Sequence, residues 1–192
     1  MKKLGSIATV LGSSFLYDTK AMYETDQNRF LNAVCRVETD LSPTDFLLAC
    51  KKIEKDMGRV KTYRWGRWGI VTFSMGPRVI DLDILFYGND VVHIDKVEGL
   101  DNLVIPHERL QERGFVLKPL CDIAPGCRGG CEGAVDFIHP LTGKTIKDML
   151  ASVNSDDCVR IFPLPDGGML NLQDRMLIMG ILNVTPDSFS DG

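Results

Sequence analysis

The segment from Val79 to Tyr87 reads VIDLDILFY, and its alternation constrains the fold more than any other stretch of the chain. Its apolar residues recur at every second position, which is the period of a β-strand. One face of such a strand is continuously apolar and must be covered by a core. The other face carries Asp81 and Asp83, so the sequence predicts a half-buried strand that presents two carboxylates.

The chain around this strand has the composition of a globular protein. Of its 192 residues, 44% are hydrophobic and 25% are charged, which excludes disordered, collagen-like and coiled-coil proteins. The net charge of -4 disfavours nucleic acid as a partner. No apolar stretch approaches the ~20 residues of a membrane-spanning helix, so we expect no membrane partner.

The cysteines and the N-terminus bear on the compartment. The run from Leu4 to Leu16 is broken by glycine and serine and has no cleavage site typical of a secretory signal. A chain of this length has room for a core without disulfides, so we expect an intracellular protein with reduced thiols. Cys121, Cys127 and Cys131 lack the paired spacing of structural zinc ligands, and we expect no function for this cluster.

The clearest predicted helix runs from Ser42 to Gly58. Ser42 is a favourable cap, Pro43 suits the first helical position, and glycine is typical of the residue that ends a helix. A stripe at helical spacing predicts the face that packs on the core. Its members are Phe46, Cys50, Ile53 and Met57.

Weaker patterns complete the expected organisation. Strand-like runs are Ser13 to Tyr17, Arg29 to Glu38, Val159 to Pro163 and Met176 to Leu182. Helical patterns are a short helix within Pro106 to Leu120 and a helix at Thr145 to Ser152. Polar or glycine-rich connections are Asp18 to Asn28, Cys121 to Pro140 and the turn Pro165 to Gly168.

The acid pair is the sharpest chemical signal. Residues two apart on a strand project side by side, about 6 to 7 Å apart at the backbone, and two like charges so placed repel unless they share cations. Mg²⁺ accepts one or two protein carboxylates and completes its shell with water and phosphate. The alternatives are a solvated strand face or salt bridges to Arg78. Nearby basic residues favour a metal-bridged polyphosphate; they are Arg59, Lys61, Arg64, Arg67 and Arg78.

Four groups of residues also occur in a specific order. They are Asp26-Gln27 with Phe30-Leu31-Asn32-Ala33, Lys52-Ile53-Glu54 with Gly58-Arg59, Gly76-Pro77-Arg78 with Asp81-Leu82-Asp83-Ile84-Leu85, and Ile105-Pro106-His107 with Arg113-Gly114-Phe115. Together they resemble the signature of the 6-hydroxymethyl-7,8-dihydropterin pyrophosphokinase family over roughly residues 4 to 163. The tail from Met179 to Gly192 resembles the opening strand and loop of dihydropteroate synthase.

The resemblance implies transfer of diphosphate from ATP to the pterin hydroxymethyl group, with release of AMP and two Mg²⁺ ions as cofactors. Asp81 and Asp83 match the magnesium ligands, in agreement with the strand geometry. Arg59 and Arg78 match phosphate-clamping arginines, and Lys61 stands where many relatives carry arginine. Catalysis would rest on positioning and charge stabilisation, without a nucleophilic side chain.

The resemblance also implies the substrate contacts. Residues that match nucleotide contacts are Glu54, Ile84, His107 and Arg113, with His107 neutral rather than a general base. Residues that match the pterin pocket are Thr19, Phe30, Asn32, Trp65 and Phe115. The two phenylalanines would stack on the ring and the asparagine amide would pair with its edge. By residue type alone, both phenylalanines would be assigned to the core.

The chain departs from the family at several places. The family's opening strand has no match, because Met1 to Val10 resembles the end of the first helix. Arg67 to Met75 is additional, either as a lengthened mobile loop or as a product of mispredicted splicing, and leaves Trp65 and Trp68 as alternatives for covering the pterin. Prolines that flank the position of Thr19 in relatives are absent.

We therefore expect an α+β, ferredoxin-like kinase domain over residues 1–163 without its first strand, a linker at 164–175, and the first strand of a truncated (β/α)₈ barrel at 176–192. One strand is not a barrel, so synthase activity should be absent from this chain. The expected partners are ATP, the pterin and a synthase domain covalently linked in the parent protein. The alternative function is a non-catalytic fragment or scaffold. Plant relatives suggest mitochondria, without a visible transit segment, so the expected compartment is cytoplasmic or mitochondrial.

Overall fold

A computed structural model describes residues 2–20, 29–58, 63–66, 69–72, 80–96, 102–124 and 138–173. Within these ranges the chain is a mixed α+β protein, as the sequence predicts. The strands are β1 Thr9–Ser13, β2 Leu16–Thr19, β3 Phe30–Asn32, β4 Cys35–Glu38, β5 Tyr63–Gly66, β6 Gly69–Thr72, β7 Val92–Ile94, β8 Leu103–Ile105, β9 Val159–Pro163 and β10 Met169–Asn171. The helices are α1 Pro43–Asp56, α2 Gly114–Ile123 and α3 Ile146–Ala151, with 3₁₀ turns at Leu4–Ser6 and Leu110–Glu112.

The largest described sheet has four antiparallel strands in the order β10-β9-β2-β3. Three strand pairs accompany it, namely β1 with β4, β5 with β6, and β7 with β8. Near the end of the described chain, β9 thus pairs directly with the early strand β2. This arrangement places β9 in the middle of the sheet, next to β2.

The two strands predicted near the N-terminus are each interrupted. The expected strand Ser13 to Tyr17 is divided between β1 and β2, and Arg29 to Glu38 is divided between β3 and β4. At the break, the Ser14 amide donates to the Val34 carbonyl at 2.8 Å and the Val34 amide donates to Ser14 Oγ at 2.9 Å. A side-chain oxygen therefore replaces one main-chain acceptor and disrupts the regular ladder.

The N-terminal residues differ from the expected helix end. A single 3₁₀ turn occupies Leu4–Ser6, and β1 begins at Thr9. The β-branched residues Thr9 and Val10 pair with Glu38 and Val37, and such residues favour strands over helices.

Helix α1 begins where the sequence predicts and ends at Asp56, two residues before the predicted Gly58. Ser42 Oγ accepts a hydrogen bond from the Asp45 amide at 3.1 Å, and Pro43 is the first helical residue. Gly58 follows the helix at a φ of 93°, a conformation that favours glycine.

The buried stripe of α1 is shifted from the predicted one. Phe46, Cys50 and Ile53 are buried, but Met57 is 39% exposed because the helix has already ended at Asp56. Glu54 is buried instead. The helix thus directs a carboxylate, rather than a methionine, toward the interior.

Residues 80–84 alternate between exposed and more buried side chains as predicted, but residues 80–87 do not pair with a neighbouring strand. Asp81 and Asp83 are exposed, Leu82 is partly buried and Ile84 is buried. No strand is assigned to residues 80–87, and Val79 lies outside the described residues. The Leu82 amide donates to a side chain, Glu54 Oε1, and the Leu85 carbonyl accepts from the His107 amide, so these groups are paired outside a ladder.

This acidic segment, defined as residues 80–87, spans two described cores. Leu82 packs against the cluster formed by α1 and the β7–β8 region, which comprises Phe46, Leu47, Cys50, Ile84, Leu103 and Ile105. Leu85 and Phe86 pack against the cluster formed around α2 and α3, which comprises Leu110, Leu117, Leu120, Ala124, Ile146 and Met149. Both cores therefore fix the backbone that carries the two acids.

The remaining elements follow local signals. The expected short helix becomes the turn Leu110–Glu112 and then α2, while α3 and β9 lie at or next to their predicted positions. The turn between β9 and β10 uses Gly167 at a φ of 84°. No helix in the described ranges is both long enough and apolar enough to cross a membrane. The expected linker after Gln173 and the barrel strand at 176–192 lie outside the described residues.

Candidate active site

The acid pair lies on the exposed side of the acidic segment. Asp81 and Asp83 flank Leu82, whose side chain packs toward the core. Lys51 on α1 places its Nζ atom 3.7 Å from Asp81 Oδ1. The two carboxylates therefore sit on a rigid support with a cation beside one of them.

Glu54 holds the acidic segment against α1. Its side chain is 2% exposed, and Oε1 accepts hydrogen bonds from the Leu82 amide at 2.7 Å and from Lys51 Nζ at 2.8 Å. Lys51 Nζ also reaches the Leu82 carbonyl at 3.5 Å. Glu54, which resembles a nucleotide contact in sequence, thus makes its described contacts with the support of the acid pair.

Lys51 is a residue that the motif analysis did not single out. Its spacing of three from Glu54 places the two on one side of α1. A lysine and a glutamate so spaced are common on exposed helices, and only the burial of Glu54 distinguishes this pair. Sequence periodicity could have indicated the pair but not its contact with Asp81.

His107, which comes shortly after β8, is hydrogen-bonded to the acidic segment. Its amide donates to the Leu85 carbonyl at 3.0 Å, and its Nδ1 atom accepts from the Arg109 amide at 3.2 Å. Because Nδ1 acts as an acceptor, the neutral ring carries its proton on Nε2.

Arg113 lies at the N-terminus of α2, beside Phe115. Its guanidinium carbon is 5.6 Å from the centroid of the Phe115 ring. Its Nε atom is buried and has no hydrogen-bond partner among the described residues. An unpaired buried N–H is costly, and an anionic group near the start of α2 would pair with it.

Thr19, Phe30 and Asn32 lie on one face of the β2–β3 pair. Thr19 is opposite Phe30 and Tyr17 is opposite Asn32, and residues that are paired or two apart share a face. Asn32 Nδ2 donates to Thr19 Oγ1 at 2.7 Å. The three residues predicted to contact a flat heteroaromatic ligand are therefore neighbours.

Helix α2 lies over the same face. The Tyr17 hydroxyl donates to Asp122 Oδ2 at 3.0 Å, which joins β2 to the last turn of α2. Phe115 precedes Asp122 by seven residues, close to two helical turns, so both point to the same side. Phe115 therefore lies on the side of α2 that faces β2, and Phe30 lies on the β2–β3 face opposite it.

Arg160 of β9 completes a polar network that sequence reasoning missed. Its guanidinium donates to Asp122 Oδ1 at 2.8 Å and to the Tyr17 hydroxyl at 3.1 Å, and it lies 4.3 Å from the Phe15 ring centroid. Burial raises the pKa of Tyr17 to about 12, with Asp122 acting in the same direction and Arg160 opposing it. The network joins β2, α2 and β9 beside the β2–β3 face that carries Thr19, Phe30 and Asn32, which we name the ligand face after its proposed role.

The donor set of the acid pair fits magnesium. Within the described ranges, no group of three or more His, Cys, Asp or Glu side chains is arranged to hold a metal. Two exposed carboxylates are nevertheless enough for Mg²⁺, which keeps several waters and takes further oxygens from phosphates. The observed arrangement suits that ion better than one that needs a closed protein cage.

Ile84 contributes to the core rather than to a polar surface. Its side chain is 9% exposed and belongs to the cluster around α1. Its backbone is therefore the part of this residue that could contact a nucleotide.

Several predicted residues lie outside the described part of the chain. They are Arg59, Lys61, Arg78 and the side chain of Trp65. The backbone of Trp65 belongs to β5, where it pairs with Ile70 of β6. Part of the additional segment Arg67 to Met75 thus folds back as a strand. Cys127 and Cys131 also lie outside the described residues, whereas Cys121 is a partly buried residue of α2.

Comparison with known proteins gives the family. The model for 7,8-dihydro-6-hydroxymethylpterin-pyrophosphokinase matches residues 1–125, which include the acid pair and the ligand face. The chain belongs to this family. Residues that match the family signature therefore lie on α1, on the acidic segment and on the β2–β3 face.

Relatives of this chain include longer proteins. The chain is 43% identical over 183 residues to the folic acid synthesis protein fol1 of Schizosaccharomyces pombe, covering 95% of this chain and 21% of that protein. It is 40% identical over 189 residues to the mitochondrial folate synthesis bifunctional protein of Pisum sativum, covering 92% and 32%. The chain thus spans about a fifth to a third of the length of these relatives.

A shorter relative matches the pyrophosphokinase region by itself. The chain is 35% identical over 152 residues to the 2-amino-4-hydroxy-6-hydroxymethyldihydropteridine pyrophosphokinase of Methylorubrum extorquens. The match covers 79% of this chain and 78% of that protein. This coverage supports the assignment of most of the chain to one family.

Proposed function

We propose that this chain transfers diphosphate from ATP to 6-hydroxymethyl-7,8-dihydropterin, giving AMP and the pterin diphosphate. The observation that carries the proposal is the exposed pair Asp81 and Asp83 on a segment whose other side is fixed in two cores. Family membership and the name of the Methylorubrum extorquens relative supply the substrate class.

Magnesium and ATP are the family's cofactor and co-substrate. Asp81 and Asp83 would hold magnesium, with two ions as the proposed number. Bound magnesium supplies charge neutralisation to the triphosphate. Lys51 and Glu54 contribute by fixing the segment, because their contacts with Asp81 and Leu82 limit its movement.

The phosphate and nucleotide contacts rest on basic and hydrogen-bonding groups. Arg59, Arg78 and Lys61 would bind phosphate oxygens, the arginines through two parallel N–H groups. Arg113, with its unpaired Nε, and His107, with Nε2–H available as a donor, would contact the nucleotide together with Glu54 and the Ile84 backbone.

The pterin would enter between helix α2 and the β2–β3 face. Phe30 and Phe115 would stack on the two sides of the ring, and Asn32 would pair with its polar edge. Thr19 would line the edge of the slot and Trp65 would cover it. This proposal is supported by the common face of Thr19, Phe30 and Asn32 and by the position of α2 over it.

The chemical step is a displacement at phosphorus. The pterin hydroxyl oxygen forms a bond to the β-phosphorus of ATP while the bond from that phosphorus to the α–β bridging oxygen breaks. AMP leaves with that oxygen, and the hydroxyl proton passes to water. The side chains named above act by positioning and by stabilising negative charge, which can supply most of the acceleration in phosphoryl transfer.

The longer relatives suggest how this domain is used. We propose a pyrophosphokinase domain over residues 1–163, a linker at 164–175 and the start of a synthase barrel at 176–192, in a parent protein that carries the linked synthase domain. The Pisum sativum relative is named mitochondrial, and mitochondrion and cytoplasm are the two compartments to compare by imaging a tagged parent protein.

The deciding experiment measures AMP. Purified chain is incubated with ATP, 6-hydroxymethyl-7,8-dihydropterin and Mg²⁺, and AMP and pterin diphosphate are quantified by chromatography. The proposal requires equal amounts of both products, and none without Mg²⁺ or without the pterin. Folded protein that binds ATP or pterin without turnover would favour the alternative, a non-catalytic scaffold.

A further inference from the structure

We propose that the Thr19 hydroxyl is a positioning group that selects which end of the Asn32 amide faces the ligand. The inference rests on the proposed function and extends it to the polar edge of the pterin. It concerns the side chain of Thr19, which is 3% exposed, and not its backbone.

The hydroxyl has one proton, and its direction is set by the strand pair. Thr19 Oγ1 donates to the Phe30 carbonyl at 3.4 Å, across the β2–β3 ladder. The same oxygen accepts from Asn32 Nδ2 at 2.7 Å. Because the proton points to a carbonyl, the hydroxyl presents lone pairs to Asn32.

Lone pairs at this position discriminate between the two ends of an amide. The NH₂ end of Asn32 donates to them, whereas the carbonyl oxygen would be repelled. Asn32 Oδ1 is therefore directed away from Thr19, with one N–H remaining on Nδ2. The Asn32 amide then presents Oδ1 as an acceptor beside the remaining N–H of Nδ2 as a donor. This pair complements an aminopyrimidinone ring, which carries N–H donors next to an acceptor.

Removal of the hydroxyl separates this role from the shape of the residue. Thr19→Val keeps the branched side chain that favours a strand but frees the amide to rotate. We expect the KM for the pterin to rise about five- to tenfold, the size of one hydrogen bond, with a smaller fall in kcat and no change in the KM for ATP. Thr19→Ser restores the hydroxyl and should bring the pterin KM to within about threefold of the unsubstituted chain.

Thr39 provides a matched control. Its Oγ1 atom donates to the Ile7 carbonyl at 3.2 Å and accepts from the Leu41 amide at 3.3 Å. Thr39→Val therefore removes a hydroxyl with the same donor and acceptor roles, away from the ligand face. It should lower thermal stability without changing the pterin KM.

The outcomes separate the two proposals. If the unsubstituted chain turns over pterin but Thr19→Val has a pterin KM within twofold of it, the positioning role is wrong and the proposed function stands. The same conclusion follows if serine fails to rescue, or if Thr39→Val raises the pterin KM equally. If the folded unsubstituted chain neither binds nor converts pterin, the proposed function is wrong and the role of Thr19 falls with it.

Discussion

The carboxylate of Glu54 and the backbone amide of Leu82 are joined by a hydrogen bond of 2.7 Å. Glu54 belongs to α1 and is 2% exposed, whereas Leu82 lies between the two acids of the proposed magnesium site. The two residues are 28 positions apart in the chain, so a residue of α1 fixes the backbone between the two acids. We therefore expect the stability of the fold and the proposed magnesium binding to be coupled through this contact.

Glu54→Gln should destabilise the chain by about 1 to 3 kcal/mol. Glutamine can still accept from the Leu82 amide but no longer pairs its charge with Lys51, which leaves a partly buried ammonium without its nearest anion. Urea unfolding followed by circular dichroism gives the free energy of unfolding.

The matched control for Glu54 is Asp157→Asn. The Lys20–Asp157 pair has an N–O distance of 2.9 Å, but both side chains are about two-thirds exposed, at 65% and 64%. Its loss should leave the free energy of unfolding nearly unchanged, because solvent and salt screen exposed pairs. Equal effects of the two substitutions would show that burial of Glu54 contributes nothing.

Asp83→Ala should reduce AMP formation by about 100-fold or more while leaving the fold intact. The side chain is exposed, so its removal opens no cavity, but it takes away charge that positions the phosphates. The assay is Mg²⁺-dependent AMP production beside a thermal melt. Asp95→Ala serves as the control because the Asp95 side chain is 91% exposed and lies after β7. Retained activity in Asp83→Ala would contradict the metal assignment.

Tyr17→Phe should remove a stabilisation that is present at neutral pH and lost at strongly alkaline pH. The pKa of Tyr17 is raised from 10.0 to about 12 in the folded chain, mainly by burial. A raised pKa favours the neutral form, so the stabilisation is fully present below pH 10 and is lost as the pH rises toward 12. The difference in unfolding free energy between the two proteins should be constant from pH 8 to 10 and should shrink above it. A difference that grows with pH would exclude this explanation.

The Cys50 thiol should resist alkylation in the native chain. Burial raises its pKa from 9.0 to about 11, which lowers the reactive thiolate about 100-fold at neutral pH. Iodoacetamide labelling read by mass spectrometry should therefore be at least about 100-fold slower at Cys50 in buffer than in urea. Comparable rates in both conditions would mean that the packing around α1 opens readily.

Elements with strong local signals could be predicted from the sequence. Ser42, Pro43 and Gly58 define both ends of α1 because capping and positive φ are decided within a few residues. Alternation in the acidic segment likewise gave the exposed positions of Asp81 and Asp83. Alternation also predicted pairing with a neighbouring strand, which the structure does not show for residues 80–87. The Leu82 amide bonds to the Glu54 carboxylate and the Leu85 carbonyl bonds to the His107 amide instead.

The parts of the site that depend on distant residues were not predictable from local patterns. Arg160 and Tyr17 are 143 positions apart, and no periodicity relates them. The aromatic residues Phe30 and Phe115 would by type have been placed in a core, and motif order was needed to assign them to a ligand. Their arrangement follows from strand register and from the Tyr17–Asp122 contact, which only the fold specifies.

The central position of β9 has a consequence for synthesis of the protein. β2 and β3 by themselves form a two-stranded ribbon, and such ribbons are marginal in water. Their third neighbour, Val159–Pro163, is translated more than a hundred residues later. A nascent chain therefore exposes the β2–β3 pair without this neighbour until Val159–Pro163 have also been synthesised.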